Sequence, residues 1–371
     1  MLKGQELALG KSQGRLQNSY KTVLLSSLVL LFILTILSLR YGSIEVPTAS
    51  VFYSFGLDLN TALGGLFRYC FYSLAPEFFD SFELIKDDNM KKTIVRDLRL
   101  PRSILACLVG AILAIVGAIL QSSTKNDLAD PFLFGLSSGA SFGAVIIITR
   151  FGDAGLLSLG SAAFAGGLLS AVLVLSLFVL QRDRASTTRL IICGLAISFC
   201  FQSCTNFLLF LSDTNAASQA LFWSLGGLGL ARWNNLSLAI FALFALLVLL
   251  FFRSRALDVL LAGEQSANSL GVNVTRLRIE VFIVCALASS ICVALTGVIG
   301  FIGLMVPHMA RLFSGVTHRY LLPLCMLFGA NLLLASDIVA RKVLAPQELP
   351  LGIITGLLGG GFILCLLFKK R

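Results

Sequence analysis

Eighteen consecutive residues, "SILACLVGAILAIVGAIL" from Ser103 to Leu120, carry no charge. A run of that length is long enough to cross the hydrocarbon core of a bilayer as a helix, which needs roughly 20 mostly apolar residues. Nor is it isolated. The 371-residue chain is 57% hydrophobic and only 13% charged, a balance outside the range of water-soluble domains. Apolar segments near 22–39, 103–121, 131–149, 154–180, 190–211, 235–252, 279–299, 300–314, 320–340 and 351–368 predict an all-α polytopic membrane protein of about ten transmembrane helices in one domain spanning 1–371. The eighth segment is short and contains Gly303 and Pro307, so it reads as a broken or partly re-entrant helix. Lys21 before the first segment imitates a secretory leader, but "LSLRY" at 37–41 offers no small-residue cleavage site, and the segment is kept as a span.

Ten spans place both termini on one face, and basic residues decide which face that is. Seventeen of the 29 lysines and arginines fall on the face of the termini, whereas eight of the remainder sit in one long segment between Arg40 and Arg102. Both termini are therefore expected in the cytoplasm. This map makes 1–21 a cytoplasmic leader, 40–102 a long periplasmic loop and 253–278 a cytoplasmic loop. The same distribution accounts for the net charge of +10 without invoking nucleic acid.

Several chemistries are excluded. "GQELALGKS" at 4–12 resembles a phosphate loop, but it has five residues between its glycines rather than four and no preceding strand. Eight of nine cysteines lie in apolar spans, Cys70 stands in the outer loop, and no Cys-x-x-Cys pair occurs; with only His308 and His318 for histidines, no metal site is expected. No catalytic residues are assigned, since no paired carboxylates or nucleophile–base pair lies in the spans. Asp337 and Glu280, near span ends, are the best candidates for an ion-coupled carrier, which usually needs more intramembrane charge.

Four features carry positive information. Ala106, Gly110, Ala114, Gly117 and Ala118 share one helical face leading to Gln121, and such a face either packs closely against another helix or lines a path. "NDLADPFLFGLSSGAS" at 126–141 breaks the helix in a tight cytoplasmic turn. The segments "RLPRSILACLVGAILAIVGAIL" and "RLRIEVFIVCALASSICVALTGVIG" echo one another in opposite orientation, which either marks inverted halves or follows from shared Gly- and Ala-rich composition. Within 253–278, Leu257, Leu260 and Leu261, then Ala267 and Leu270, suggest two short amphipathic helices ended by Gly263 and Gly271. They either lie on the lipid surface or, as Glu264 and the small residues favour, dock into a partner.

Together these pieces resemble the FecCD-type permeases of ATP-driven importers for iron-siderophore complexes, haem and cobalamin. The resemblance rests on "RLPR" at 99–102, "GAILAIVGAILQ" at 110–121, "NDLADP" at 126–131, "GLSSGAS" at 135–141, "GEQSANSLGV" at 263–272, "GFIGLMVPHMAR" at 300–311, "SDIVAR" at 336–341 and "ELPLG" at 348–352. It implies a homodimer in the bacterial inner membrane, with a translocation path at the dimer interface on which Gly110, Gly117 and Gln121 are placed. It further implies two cytoplasmic ATPase subunits that hold the ATP and magnesium, and a periplasmic substrate-binding protein. This chain itself would bind no cofactor.

By the same resemblance, Gly263, Glu264, Ala267, Leu270 and Gly271 form the ATPase-coupling element. Asn126 and Leu128 with Thr187 and Thr188 form a cytoplasmic gate, although Ser186 and Thr187 are equally suited to cap the following helix. Arg99, Arg102 and Arg341 meet carboxylates of the binding protein, for which a guanidinium fork is well shaped, or else reach lipid phosphates at the interface. Two residues depart from the family pattern: Asp127 replaces a proline near the gate, and Gly361 replaces one near the last helix. The expected cargo is an iron chelate, siderophore or haem; a cobalamin importer shares every motif, and an ion-coupled secondary transporter is the reading from another class.

Overall fold

The computed structural model describes residues 2–42, 46–47, 51, 89–152, 155–180 and 187–368. Cys70, Arg182, Arg184, Ser186, the C-terminal Lys369–Arg371 and most of the long outer loop lie outside the described residues. The helices are α1 (Leu2–Arg40), α2 (Asn89–Thr93), α3 (Leu100–Thr124), α4 (Leu136–Phe151), α5 (Gly155–Leu180), α6 (Thr187–Phe210), α7 (Thr214–Ser224), α8 (Trp233–Leu261), α9 (Glu264–Ser269), α10 (Val274–Thr296), α11 (Ile302–Ser314), α12 (His318–Lys342) and α13 (Leu351–Phe368). A π-helical turn, Ile94–Arg99, joins α2 to α3, and a 3-10 turn, Pro131–Phe134, precedes α4.

Eight helical segments among the described residues are long and apolar enough to cross a bilayer. The expected third and eighth spans are the exceptions. Helix α4 has 16 residues and α11 has 13, so they cover about four fifths and about two thirds of a hydrocarbon core roughly 30 Å thick at about 1.5 Å per residue. Pro307 lies inside α11 and does not break it. The interruption comes earlier, in the non-helical stretch 297–301 ending at Phe301, whose φ of 67° is left-handed.

Two loop boundaries also need correction. Residues 89–99, expected in the outer loop, are already coiled and run straight into α3. The wider π turn falls just before Pro101, whose missing N–H cannot close an ordinary helical bond. At the other end of the bundle, residues 253–261 belong to α8 rather than to a separate docking helix. Hydropathy fades after Phe252, but Leu257 and Leu260 are fully buried in the main core, so one apolar face carries the helix onward. Asp258 on this extension accepts the backbone N–H of His318, 3.0 Å away, and thereby starts α12.

Helix α3 is the axis of the bundle and its most buried span; α10, the partner in the sequence echo, is the next. Around α3 pack α8, α10, α11 and α12. The least buried spans are α1, α5, α6, α8 and α13, and exposed residues such as Phe32, Phe199, Phe244 and Phe368 lie on them. Gly361, the departure in α13, faces open space, and the helix continues through it.

Candidate functional site

At the end of α3 that the charge bias assigns to the outside, three arginines and two carboxylates converge. Arg102 donates from Nε to Asp337 Oδ1 at 2.9 Å and from Nη1 to Glu348 Oε1 at 2.9 Å. Arg341, one turn beyond Asp337 on α12, has Nη2 2.9 Å from Asp337 Oδ2, close enough for charge attraction though not aligned as a hydrogen bond. The Asp337 side chain is fully buried, a burial that two guanidinium partners offset.

Sequence reasoning grouped these three arginines, and the structure does bring them together, but not as a ring of free charges. Arg99 is buried and donates from Nη1 to the carbonyls of Leu39 and Arg40, 2.7 Å from each. Arg341 donates to the carbonyls of Ser38 (3.1 Å) and Tyr41 (2.8 Å) and to the Ser38 hydroxyl (2.7 Å). Both therefore satisfy carbonyls at the C-terminus of α1 that have no partner within the helix. Only Arg102 and the half-exposed Glu348 reach the surface of the cluster.

The small-residue face of α3, on which Gly110, Gly117 and Gln121 are expected to line a path, packs against α11 and α12. A methyl group on Gly110 would overlap the Gly329 carbonyl of α12, and one on Gly117 would overlap the Gly303 carbonyl of α11. Gln121 is buried, and its Nε2 donates to the carbonyls of Gly303 (3.1 Å) and Leu304 (3.2 Å), stitching α11 to α3. All three residues are thus engaged within the chain.

The polar turn after α3 is not wholly outside the bundle, contrary to its reading as a cytoplasmic loop. Lys125, with φ of 51°, turns the chain in the left-handed region, and residues 126–130 fold back beside α3. Asp130 arrives level with Gly117: a Cβ on Gly303 would lie 3.0 Å from Asp130 Oδ2 and 3.1 Å from the Leu113 carbonyl. Asp130 is buried, and its Oδ1 accepts the Phe132 N–H at 3.0 Å, capping the 3-10 turn that leads into α4. It therefore sits where the N-termini of two interrupted helices, α4 with its 3-10 lead and α11, approach one another. Such N-termini favour negative charge. Sequence reasoning missed this residue, although Asp followed by Pro ahead of an apolar run is an N-terminal helix signal.

Nearer the inner end, Asn126 Oδ1 accepts the Leu128 N–H at 3.0 Å, forming a local turn, and Leu128 is exposed. Thr188 is exposed in the first turn of α6, which begins at Thr187. The turn and the α6 start belong to separate elements. Asp127, which stands in place of the family proline, pairs with Arg311 of α11 at 3.2 Å.

The segment expected to couple to an ATPase is a short helix between two glycines that adopt backbone angles disfavoured for other residues. Gly263 has φ of 135° and Gly271 has φ of 81°. Ala267 is fully buried and anchors α9 to the chain, whereas Leu270 is 71% exposed at its end. Glu264 is held by Arg278 Nη2 at 2.6 Å. Beside them opens a polar groove of about 350 Å³ lined by Glu264, Asn268, Gly271, Asn273 and Arg278.

A buried axial helix, interrupted helices meeting inside the bundle and a glycine-bounded loop helix at one end define a polytopic transport permease. Residues 30–369 match the FecCD transport family, and the chain belongs to it. It is 39% identical over 280 residues to the hemin transport system permease protein HmuU of Yersinia pestis, covering 74% of this chain and 83% of that one. Over 278 residues it is 38% identical to the vitamin B12 import system permease protein BtuC of Escherichia coli, covering 75% and 84%. The iron-uptake system permease protein FeuC of Bacillus subtilis is 32% identical over 308 residues, covering 81% and 91%.

Among solved structures, an inward-facing metal-chelate type ABC transporter superposes with a TM-score of 0.75 at 27% identity, covering 94% of this chain and all of that one. The chain is therefore the permease subunit of an ABC importer of the FecCD family, a multi-pass membrane protein and not itself an enzyme.

Proposed function

We propose that this permease moves an iron chelate, siderophore-bound iron or haem, from a periplasmic binding protein into the cytoplasm. It would work as a homodimer in the cytoplasmic membrane with two ATPase subunits. The observation that carries the importer assembly is α9. It is a short helix clamped by Gly263 and Gly271, anchored through Ala267 and presenting Leu270 outward, at the face that the lysine and arginine bias assigns to the cytoplasm. ATP and magnesium would be held by the ATPase subunits, and closure of those subunits would act on the bundle through α9. Asn126, Leu128, Thr187 and Thr188 are the residues proposed for its inner gate.

An iron chelate is favoured by relatives named for hemin and for iron uptake. Cobalamin is the second reading, favoured by the similarly close BtuC. The deciding experiment reconstitutes the permease with its ATPase and binding protein in proteoliposomes. ATP-dependent uptake of haemin, a ferric siderophore and cyanocobalamin is then compared. Uptake of haemin or the siderophore alone supports the iron reading, and uptake of cyanocobalamin alone replaces it.

A further inference from the structure

We propose that Arg278 is a positioning residue that ties the coupling helix α9 to the inner end of the axial helix α3. The inference rests on the assignment of α9 as the ATPase-coupling element. Arg278 lies in the second turn of α10, and its side chain is 2% exposed. One edge of its guanidinium donates from Nε to the Ser123 carbonyl at 3.1 Å, and Nη2 donates to Glu264 Oε1 at 2.6 Å. One planar group thus joins the last turn of α3 to the first residue of α9.

Both partners are groups that need a donor. The last four carbonyls of a helix have no intrahelical partner. At the end of α3 the Gln121 carbonyl is taken by the backbone N–H groups of Lys125 and Asn126, and the Ser123 carbonyl by Arg278. Glu264 begins α9 directly after Gly263, where a carboxylate suits the helix N-terminus.

Two other arginines of the same segment are paired elsewhere. Arg253 and Arg276 are both committed to Glu280, at 2.8 and 2.9 Å. A lysine at 278 would supply a single ammonium rather than two donors side by side on a planar group.

The bridge matters because of what α3 touches. The same helix holds α11 at Gly117 and Gln121, α12 at Gly110, and the Arg102–Asp337–Glu348 cluster at its far end. A push on α9 therefore reaches a closely packed rod that runs to the opposite face. Without Arg278, α9 would remain attached mainly through Ala267 and the backbone of its own loop.

The test uses the complete transporter, with its ATPase subunits and binding protein, in nanodiscs. ATP hydrolysis is measured with and without the binding protein. Arg278→Met keeps the volume of the stem and leaves Glu264 solvated, so the fold should tolerate it. It is expected to lower the stimulation of hydrolysis by at least about fivefold, the lower end of typical coupling effects, while basal hydrolysis and ATPase content stay at wild-type levels. Glu264→Gln should act in the same direction, and the double variant should be no worse than the stronger single one. Arg278→Lys should restore only part of the stimulation.

Wild-type stimulation in Arg278→Met would overturn the proposal. So would loss of the ATPase from that variant, which would make Arg278 a docking residue instead. If Arg278→Met cannot be purified, full stimulation in both Arg278→Lys and Glu264→Gln would overturn it. Failure of the wild-type chain to assemble with an ATPase would instead remove the coupling assignment of α9, and this inference with it.

Discussion

Gly110 of α3 and Gly329 of α12 meet backbone to backbone, each occupying space that a methyl group on the other would need. This contact fixes how closely the axial helix lies against α12, and thus where Arg102 and Asp337 can pair. Gly110→Ala is expected to destabilise the detergent-solubilised protein by about 1–3 kcal/mol, the usual cost of overpacking. Gly361→Ala, on a helix face with open space, should be neutral or slightly stabilising. Thermal unfolding midpoints check both. A Gly110→Ala protein with an unchanged midpoint and lost uptake would return this face to the translocation path.

Much of the helical layout was legible because an uncharged run reads directly as a buried or lipid-facing helix. What lay opposite each helix was not. The Gly110 and Gly117 spacing looks the same whether the face packs or lines a path, and only the opposing Gly329 and Gly303 carbonyls decide. Arg99 and Arg341 were recognisable as charges at outer span ends, and the Asp337–Arg341 spacing of one turn is local, but both also reach carbonyls about 60 and 300 residues away, which no local pattern encodes. The depth of Asp130 was hidden for another reason: its carboxylate is satisfied by nearby backbone, so a polar segment re-enters the bundle while hydropathy reports a loop. The glycines bounding α9 were legible because their role is local backbone geometry.

Burial of Arg99 and Arg341 changes what charge reversal tests at the outer face. Arg99→Glu and Arg341→Glu would place carboxylates against the carbonyls that end α1, and both are expected to lower the yield of folded protein. Docking is better probed at Arg102 and Glu348, the members of the cluster nearest solvent. If binding-protein carboxylates are drawn to this cluster, Glu348→Gln should speed association a few-fold and Arg102→Gln should slow it, with both effects fading at high salt. Stopped-flow association kinetics at two ionic strengths measure this, and rates indifferent to both changes would favour lipid phosphates as the partners of Arg102.

Leu270 presents the most exposed apolar side chain of the 263–271 segment, while Ala267 beside it is buried. Leu270→Asp is therefore expected to reduce co-purification of the ATPase by about tenfold, as for an interface anchor worth more than 1 kcal/mol. Folding should be unaffected. Gly271→Val forces a β-branched residue into a left-handed angle and should weaken the same complex through the loop itself. Wild-type ATPase content in both variants would show that α9 is not the docking element.

At the inner face, the exposed Asp127 pairs with the partly buried Arg311, and with one partner in solvent the pair is worth about 1 kcal/mol. Asp127→Asn should leave stability nearly unchanged. On the gate assignment, a disulfide formed between cysteines at position 188 of two protomers should arrest uptake, and reduction should restore it. Rapid crosslinking with undiminished uptake would instead leave Thr188 as a residue of the α6 N-terminus alone.

Asp130 joins the two interrupted helices, and its replacement separates capping from charge. Asp130→Asn keeps an oxygen for the Phe132 N–H and removes only the negative charge beside α11, whereas Asp130→Ala removes both. The Ala variant is expected to lose about 1–2 kcal/mol, a cap plus part of a helix-end charge interaction, and the Asn variant a smaller amount. Beside the carboxylate lies a cavity of about 10 Å³ that Ser137, Ser289 and Thr296 also line, room for about one water. A water admitted there would recover some of the loss in Asp130→Ala. Hydrogen exchange should then quicken in peptides covering 131–136 and 302–306 together, because one carboxylate serves both starts. Faster exchange in 131–136 alone would restrict Asp130 to capping the 3-10 turn, and protection unchanged in both would remove it as the junction of the two half-helices.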